Sequence, residues 1–245
     1  MALFALADTH LSTQTDKPMD IFGKRWESWD KKLIRGWLDA VSEKDTVVIP
    51  GDISWGIALD DALEDLRLLN ALPGKKLISH GNHDYWWSTA SKMNAFFSEN
   101  RLDTLSLFYN NAFRVEDKVI CGSRGWYTDE KTAQSAKIKA DYAKIVNREA
   151  VRLELSLKEG ARIMAEADTP LTPLAFFHFP PVFAQYVCRP LIDLLHEYGV
   201  RHCYYGHIHG QYDIPPESVF EDITFSIISA DYINFLPKEI KIVNE

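Results

Sequence analysis

Five short apolar runs in this chain each lead directly into residues that bind metal ions well, and this recurrence constrains the fold more than any other feature. The runs are ALFALA, TVVIP, KLIS, LAFF and HCYY. They lead in turn into Asp8-x-His10, Gly51-Asp52, Gly81-Asn82-His83-Asp84, His178 and Gly206-His207-x-His209. Short apolar runs bounded in this way read as buried strands. In α/β proteins the functional side chains gather beyond the carboxyl ends of such strands. Three oxygen donors and four imidazoles would then meet on one rim. That is more than one divalent ion requires, and it points to a two-metal hydrolytic site.

The rest of the pattern agrees with an α/β arrangement. Trp26, Trp29, Leu33, Trp37 and Val41 recur at helical spacing, and Leu59, Leu63, Leu66 and Leu69 mark a second helix that Pro73-Gly74 ends. A third helix is expected over 88–98. Segments 105–109, 112–115 and 118–121 read as antiparallel strands, with Glu116-Asp117 as a hairpin turn. From about 129 to 167 the sequence is strongly helical. Tyr142, Val146, Ala150, Leu153, Leu157 and Met164 share one face, so the segment either covers a sheet or forms a flap near the site. Strands are expected again at 173–177, 202–205, 223–229 and 239–243, with a helix over 190–198 stopped by Gly199. No linker and no fixed-period repeat interrupts the chain, so one domain over 1–245 is the economical organisation.

Composition limits what such a chain can do. Of 245 residues, 46% are apolar and 12% aromatic, enough for a sizeable core. Lys and Arg number 27 against 35 Asp and Glu, a formal charge of −8. That balance disfavours a long polyanion such as duplex DNA, whose binding depends on basic side chains. It leaves room for a small phosphate ester held locally by metals. The start, MALFALADTH, lacks the basic and long apolar regions of a leader and reads as a first strand. No later stretch is long enough to span a membrane. Cys121, Cys188 and Cys203 are odd in number and lack CxxC spacing. They read as reduced thiols, and the expected location is the cytoplasm.

The donor types suit one chemistry. In Gly-His-x-His an extended backbone points both imidazoles the same way, so both can face one ion. Mixed carboxylate, imidazole and amide-oxygen ligation suits Mn, Fe or Zn, and the lack of thiolates argues against a purely structural zinc site. Two such ions a few ångströms apart can share a hydroxide and neutralise phosphoryl oxygens.

The order D-x-H, G-D, G-N-H-D, H and G-H-x-H resembles the calcineurin-like metallophosphoesterase superfamily, and the motifs run from residue 8 to residue 209. The resemblance implies a four-layer αββα sandwich, two mixed sheets flanked by helices, with a dinuclear site at its rim. By motif position it implies that Asp8, His10 and His209 hold one metal, that Asn82, His178 and His207 hold the second, and that Asp52 bridges them. It implies attack by a metal-bridging hydroxide, with His83 as general acid. Asp84 joins the catalytic set if it orients His83; its other reading is a cap on the next helix.

One departure narrows the branch. Protein phosphatases of this superfamily continue the second motif as G-D-x-x-D-R-G, whereas this chain has Gly51-Asp52-Ile53-Ser54-Trp55-Gly56. The sequence is closer to the bacterial phosphohydrolase or phosphodiesterase-like branch, which implies hydrolysis of a phosphodiester or, alternatively, a phosphomonoester. A substitute phosphate ligand is Arg124, flanked by Gly122 and Gly125; its other reading is a surface turn. Trp55, Trp86, Trp87 and Trp126 adjoin the motif loops and either line a substrate pocket or pack the core. A metal-binding scaffold without activity is the alternative from another class.

Overall fold

The computed structural model describes residues 1–127 and 136–242, and for 136–140 the backbone alone. In chain order the elements are β1 (Leu3–Ala5), α1 (Trp29–Ala40), β2 (Thr46–Pro50), α2 (Leu63–Ala71), β3 (Lys75–Ser79), α3 (Ala90–Glu99), β4 (Leu105–Leu107), β5 (Phe113–Val115) and β6 (Lys118–Ser123). There follow α4 (Ala136–Ala165), β7 (Thr172–Phe177), β8 (Val182–Phe183), β9 (Tyr186–Val187), α5 (Arg189–Glu197), β10 (His202–Tyr205), β11 (Glu217–Phe220), β12 (Ile223–Ile227) and β13 (Lys238–Glu239). Two 3-10 turns, Met19–Phe22 and Lys24–Trp26, precede α1. Two mixed sheets and five α-helices among the described residues form an α/β fold consistent with the calcineurin-like sandwich. The chain groups into two compact units, one of Met1–Leu107, Gly206–Ile214 and Ile228–Glu245, the other of Phe108–Tyr205 and Pro215–Ile227.

The first unit is built on the sheet β13-β1-β2-β3-β4, parallel except for the edge strand β13. All five residues of β2 are buried, as expected of a parallel strand covered on both faces. Leu33 and Trp37 of α1 are fully buried, and the Trp37 indole donates to the Pro73 carbonyl at 3.0 Å. With Leu66, Leu69, Met93 and Phe97 they form the core. The segment expected as antiparallel at 105–109 is corrected here: β4 runs parallel to β3. The chain returns to the sheet through α3, and a crossover of that kind delivers a parallel strand.

The second unit carries the sheet β11-β12-β10-β7-β6-β5, parallel within and antiparallel at both edges. The β5–β6 hairpin turns at Glu116, whose φ is 57°. Helix α4 covers this sheet. Ser156 Oγ accepts from the Gly122 amide at 3.0 Å, and Leu153 and Leu157 are buried. Residues 129–135 of the expected helix lie outside the described residues. The hairpin β8–β9 and the edge strand β11 had no clear sequence signal, because each is very short or polar. The cysteines Cys121, Cys188 and Cys203 are buried and free.

Candidate metal centre and active site

In the first unit, three parallel strands end side by side and their following loops are laced together. The Asp8 amide donates to Gly51 O at 3.0 Å, and the His10 amide donates to Asp52 O at 3.0 Å. Asp8, His10, Asp52 and His207 all adopt left-handed backbone angles, with φ of 62°, 44°, 51° and 68°. Few non-glycine residues do so, and strain of this kind concentrates at functional sites. Gly81 lets the third loop approach: a Cβ there would overlap the Asp52 carboxylate. Gly206 does the same for the fourth, since its Cβ would lie 2.5 Å from Asp8 Oδ2.

These loops converge their donor atoms. His10 Nε2 and His209 Nε2 face each other at 3.3 Å. His209 Nε2 lies 3.5 Å from Asp8 Oδ1, and His10 Nε2 lies 3.7 Å from Asp52 Oδ2. Asp8, His10 and His209 each offer a ligand atom within 4.8 Å of the others. An Asp52 carboxylate oxygen lies within 4.8 Å of a His207 ring nitrogen. Donors held about 2.0–2.2 Å from one ion stand about 3–3.5 Å apart, so this spacing fits a divalent cation. Asp8 is fixed by the His207 amide, which donates to its two oxygens at 2.9 and 3.1 Å. Asp52 accepts from the His83 amide at 2.8 Å.

The electrostatics agree with that fit. Burial, with Asp84 and Asp8 nearby, pushes the Asp52 carboxyl well above its usual range. Burial, with the rings of His209, His83 and His207 nearby, holds His10 well below the ordinary histidine value. Burial also takes His207 down to about 4, against the pull of Asp8. Buried carboxylates crowded among neutral imidazoles form an environment that a cation relieves. His209 differs. Burial disfavours its charge, but Asp8 and Asp231 outweigh that and raise it to about 10.

Asp231 is the residue that sequence reasoning missed. Fully buried, it accepts from His209 Nδ1 at 2.8 Å, from the Gly210 amide at 3.1 Å and from the Tyr212 hydroxyl at 2.9 Å. A carboxylate on Nδ1 fixes the tautomer and turns the Nε2 lone pair toward the donor cluster, the usual support of a metal-ligating histidine. The available signal was its place just beyond β12, the same strand-end position that marks the other residues.

Asp84 neither contacts the His83 ring through any of its hydrogen bonds nor caps α3, whose N-cap is Thr89. Its carboxylate accepts from the amides of Ile53 (2.8 Å), Ser54 (3.2 Å) and Gly81 (2.8 Å) and from the Trp86 indole (3.1 Å). It therefore clamps the Asp52 loop to the Asn82-His83 loop. Burial pushes it up to about 6 despite those donors. Asp65 supports the same region, accepting from Ser54 Oγ and from the Thr13 amide.

His83 is half-buried and its ring lies 4.5 Å from that of Trp55. Burial lowers its basicity and Asp8 partly restores it. Asn82 occupies the same loop, partly exposed. Trp55 stacks on His10 at 5.1 Å, while Trp86 packs in the core and Trp87 stacks on His80. His178 and Arg124 belong to the second unit. His178 follows β7 fully buried, edge-on to Phe179. Arg124 lies in the turn after β6, its guanidinium 5.5 Å from the Trp126 ring and 5.7 Å from that of Phe179.

Comparison with known proteins places the chain. A search of the curated proteins by sequence finds no match. Solved structures share the fold at low identity. A protein of unknown function from Aquifex aeolicus is 15% identical, with a TM-score of 0.53 over 97% of this chain and 95% of that one. Phosphopantetheinyl hydrolase from Mycobacterium tuberculosis is 14% identical, with a TM-score of 0.55 over 98% and 95%. A Thermus thermophilus protein, TT1561, is 10% identical, with a TM-score of 0.53 over 94% and 89%. The calcineurin-like phosphoesterase profile matches residues 1–211, which includes every motif residue named above. The chain belongs to the calcineurin-like phosphoesterase family.

Proposed function

We propose that this protein is a dinuclear metal-dependent phosphoesterase acting on a small phosphate ester, with diesters preferred to monoesters. Family membership implies a hydrolase of phosphate esters. The observation that carries the finer reading is the convergence of Asp8, His10, Asp52 and His209 donors at 3.3–3.7 Å, with Asp231 behind His209. By motif order Asp8, His10 and His209 would hold one ion, Asn82, His178 and His207 would hold the second, and Asp52 would serve both. Divalent cations of the Mn, Fe or Zn type, when bound, supply activation of water at neutral pH and neutralise phosphoryl charge.

The chain's own residues do the rest. Asp84 holds the two loops in register, so Asp52 and His83 keep their spacing. Asp231 keeps the His209 proton on Nδ1. His83 stands at the edge of the cluster with its ring half-exposed, suited to donate a proton to the departing oxygen. Arg124 is a second candidate contact for phosphate oxygens, through a guanidinium partly shielded by aromatic rings. The preference for diesters follows the branch resemblance. The charge of −8 supports a small substrate over long nucleic acid, and free buried cysteines support a cytoplasmic setting. No described helix is long and apolar enough to cross a membrane.

The test is metal-stripped protein titrated with Mn and assayed on bis(p-nitrophenyl) phosphate and p-nitrophenyl phosphate. Turnover should require metal and favour the diester. On an alkyl ester, whose departing alkoxide needs a proton, His83→Ala should lower kcat by about 10²–10⁴-fold with metal content unchanged. Loss of metal in that variant would show that the role assigned to His83 is wrong.

A further inference from the structure

Beside the donor cluster, wholly within the first unit, lies a cavity of about 430 Å³. We propose that it binds the alcohol portion of the substrate, and that this portion is an uncharged apolar group of one or two rings. The proposal rests on the phosphoesterase reading above.

The first ground is chemistry. Away from the histidines the cavity walls are Met19, Phe22, Trp26 and Trp55, with Gly210. Among the described residues no lysine, arginine, aspartate or glutamate lines it. A second phosphate, a carboxylate or a polyhydroxylated group would lose its hydration there with little in return. An aromatic or cyclic alkyl group would gain most from this lining. Lys17, the cation near Trp55, sits 5.1 Å over the indole ring and is not part of the wall.

The second ground is construction. The walls are held in place rather than collapsed by chance. The Trp55 indole donates to Met19 Sδ at 3.2 Å. Trp26 is 2% exposed and edge-on to His209 and Phe235. The neighbouring Arg25 donates to the carbonyls of Asp231 and Tyr232 at 3.0 and 3.1 Å, which fixes the 3-10 turn carrying Trp26. At the same time Phe22 is 62% exposed and Ile21 73%. Large apolar side chains left in solvent beside a formed cavity mark a binding surface.

The third ground is position. His10, His83 and His209 form the remaining wall, so the cavity opens onto the proposed catalytic groups. The group bonded to the leaving oxygen must sit next to the acid that protonates that oxygen. His83 and Trp55 are in ring contact, which places this group against Trp55. The volume falls in the lower part of the range of about 300–1,000 Å³ typical of small-molecule sites, room enough for one or two rings.

Two measurements separate this proposal from the reading beneath it. In the first, calorimetry follows binding of 2-naphthol, and of glycerol as a polar comparison, to the full-length protein without added metal. Saturable one-to-one binding of 2-naphthol alone is expected, about tenfold or more weaker in Trp55→Ala and Phe22→Ala and largely kept in Trp55→Phe. Unchanged affinity in folded Trp55→Ala and Phe22→Ala, or no 2-naphthol binding to the wild-type protein, overturns the proposal. In the second, metal-loaded protein hydrolyses methyl benzyl phosphate and methyl 2-methoxyethyl phosphate, whose leaving alcohols are similar in acidity. The benzyl ester should be preferred by about tenfold in kcat/KM, and Trp55→Ala should erase most of that preference. Hydrolysis of both esters at equal rates sinks the pocket and leaves the phosphoesterase reading standing. Binding of 2-naphthol at Trp55 without hydrolysis of any phosphoester supports the pocket and sinks that reading instead.

Discussion

Asp231→Asn isolates the support behind the candidate metal centre with almost no change of shape. The carboxylate accepts three hydrogen bonds, one at Oδ1 from His209 and two at Oδ2 from Gly210 and Tyr212. An amide can accept at one end only. If its oxygen stays on His209, its NH2 group opposes the Gly210 amide, donor against donor. If it flips, NH2 faces His209 Nδ1, and the imidazole proton must move to Nε2, the atom that faces His10 and Asp8. Either arrangement loses a charge-assisted bond worth about 1.5–3 kcal/mol. The matching expectation for metal affinity is a loss of about 10- to 100-fold, or about 1.4–2.7 kcal/mol. Titration of metal-stripped protein with Zn or Mn against a competing chelator reads this directly. Tyr212→Phe removes one of the two Oδ2 bonds and leaves His209 untouched, so its affinity should change by less than about threefold. An Asp231→Asn protein that binds metal within twofold of the wild type would refute the assignment of Asp231 as the residue that orients His209.

Three further expectations follow from the same geometry. Gly81→Ala should cost metal binding while leaving the circular dichroism spectrum unchanged, because the added methyl overlaps the Asp52 carboxylate; full metal content in this variant would count against Asp52 as a ligand. Asp84→Ala leaves the amides of Ile53, Ser54 and Gly81 and the Trp86 indole without their acceptor, so urea denaturation should report a loss of at least about 3 kcal/mol. Lys76 is fully buried, and its ammonium donates to the carbonyls of Leu72 and Gly74 and to Thr104 Oγ1 beyond the end of α2; burial takes its pKa down to about 8 from 10.5. The unfolded chain then binds the extra proton between those values, so stability attributable to Lys76 should rise with pH from about 8 to 10.5. Lys76→Met should remove that part of the slope in urea midpoints measured across the interval, and an identical slope in both proteins would reject a depressed Lys76.

Much of the donor cluster was legible because its logic is local. Asp8, Asp52 and the Asn82-His83 pair each follow a buried parallel strand, and parallel strands in one sheet present their carboxyl ends on one side. Gly-His-x-His carried its own signal through the two-residue spacing of His207 and His209. The helix over Leu33 and Trp37 was equally visible, since a buried face repeats every three or four residues. Other elements left weak traces. β4 is three residues long, and nothing in Leu-Ser-Leu states whether its partner runs with or against it. Pairing direction came from the α3 crossover.

The sequence by itself determined the α/β class and the family and brought forward Asp8, His10, Asp52 and His209 as candidate donors, because strand ends, glycines and histidine spacing are properties of short segments. Only the tertiary structure decided what stands behind and beside those residues. Asp231 reaches His209 across 22 positions, Asp84 reaches Ile53 across 31, and Trp26 and Trp55 meet His10 from different loops. Long-range contacts of this kind have no local pattern. They exist because buried carboxylates and indoles must find partners once the core closes, and the packing settles which partners those are.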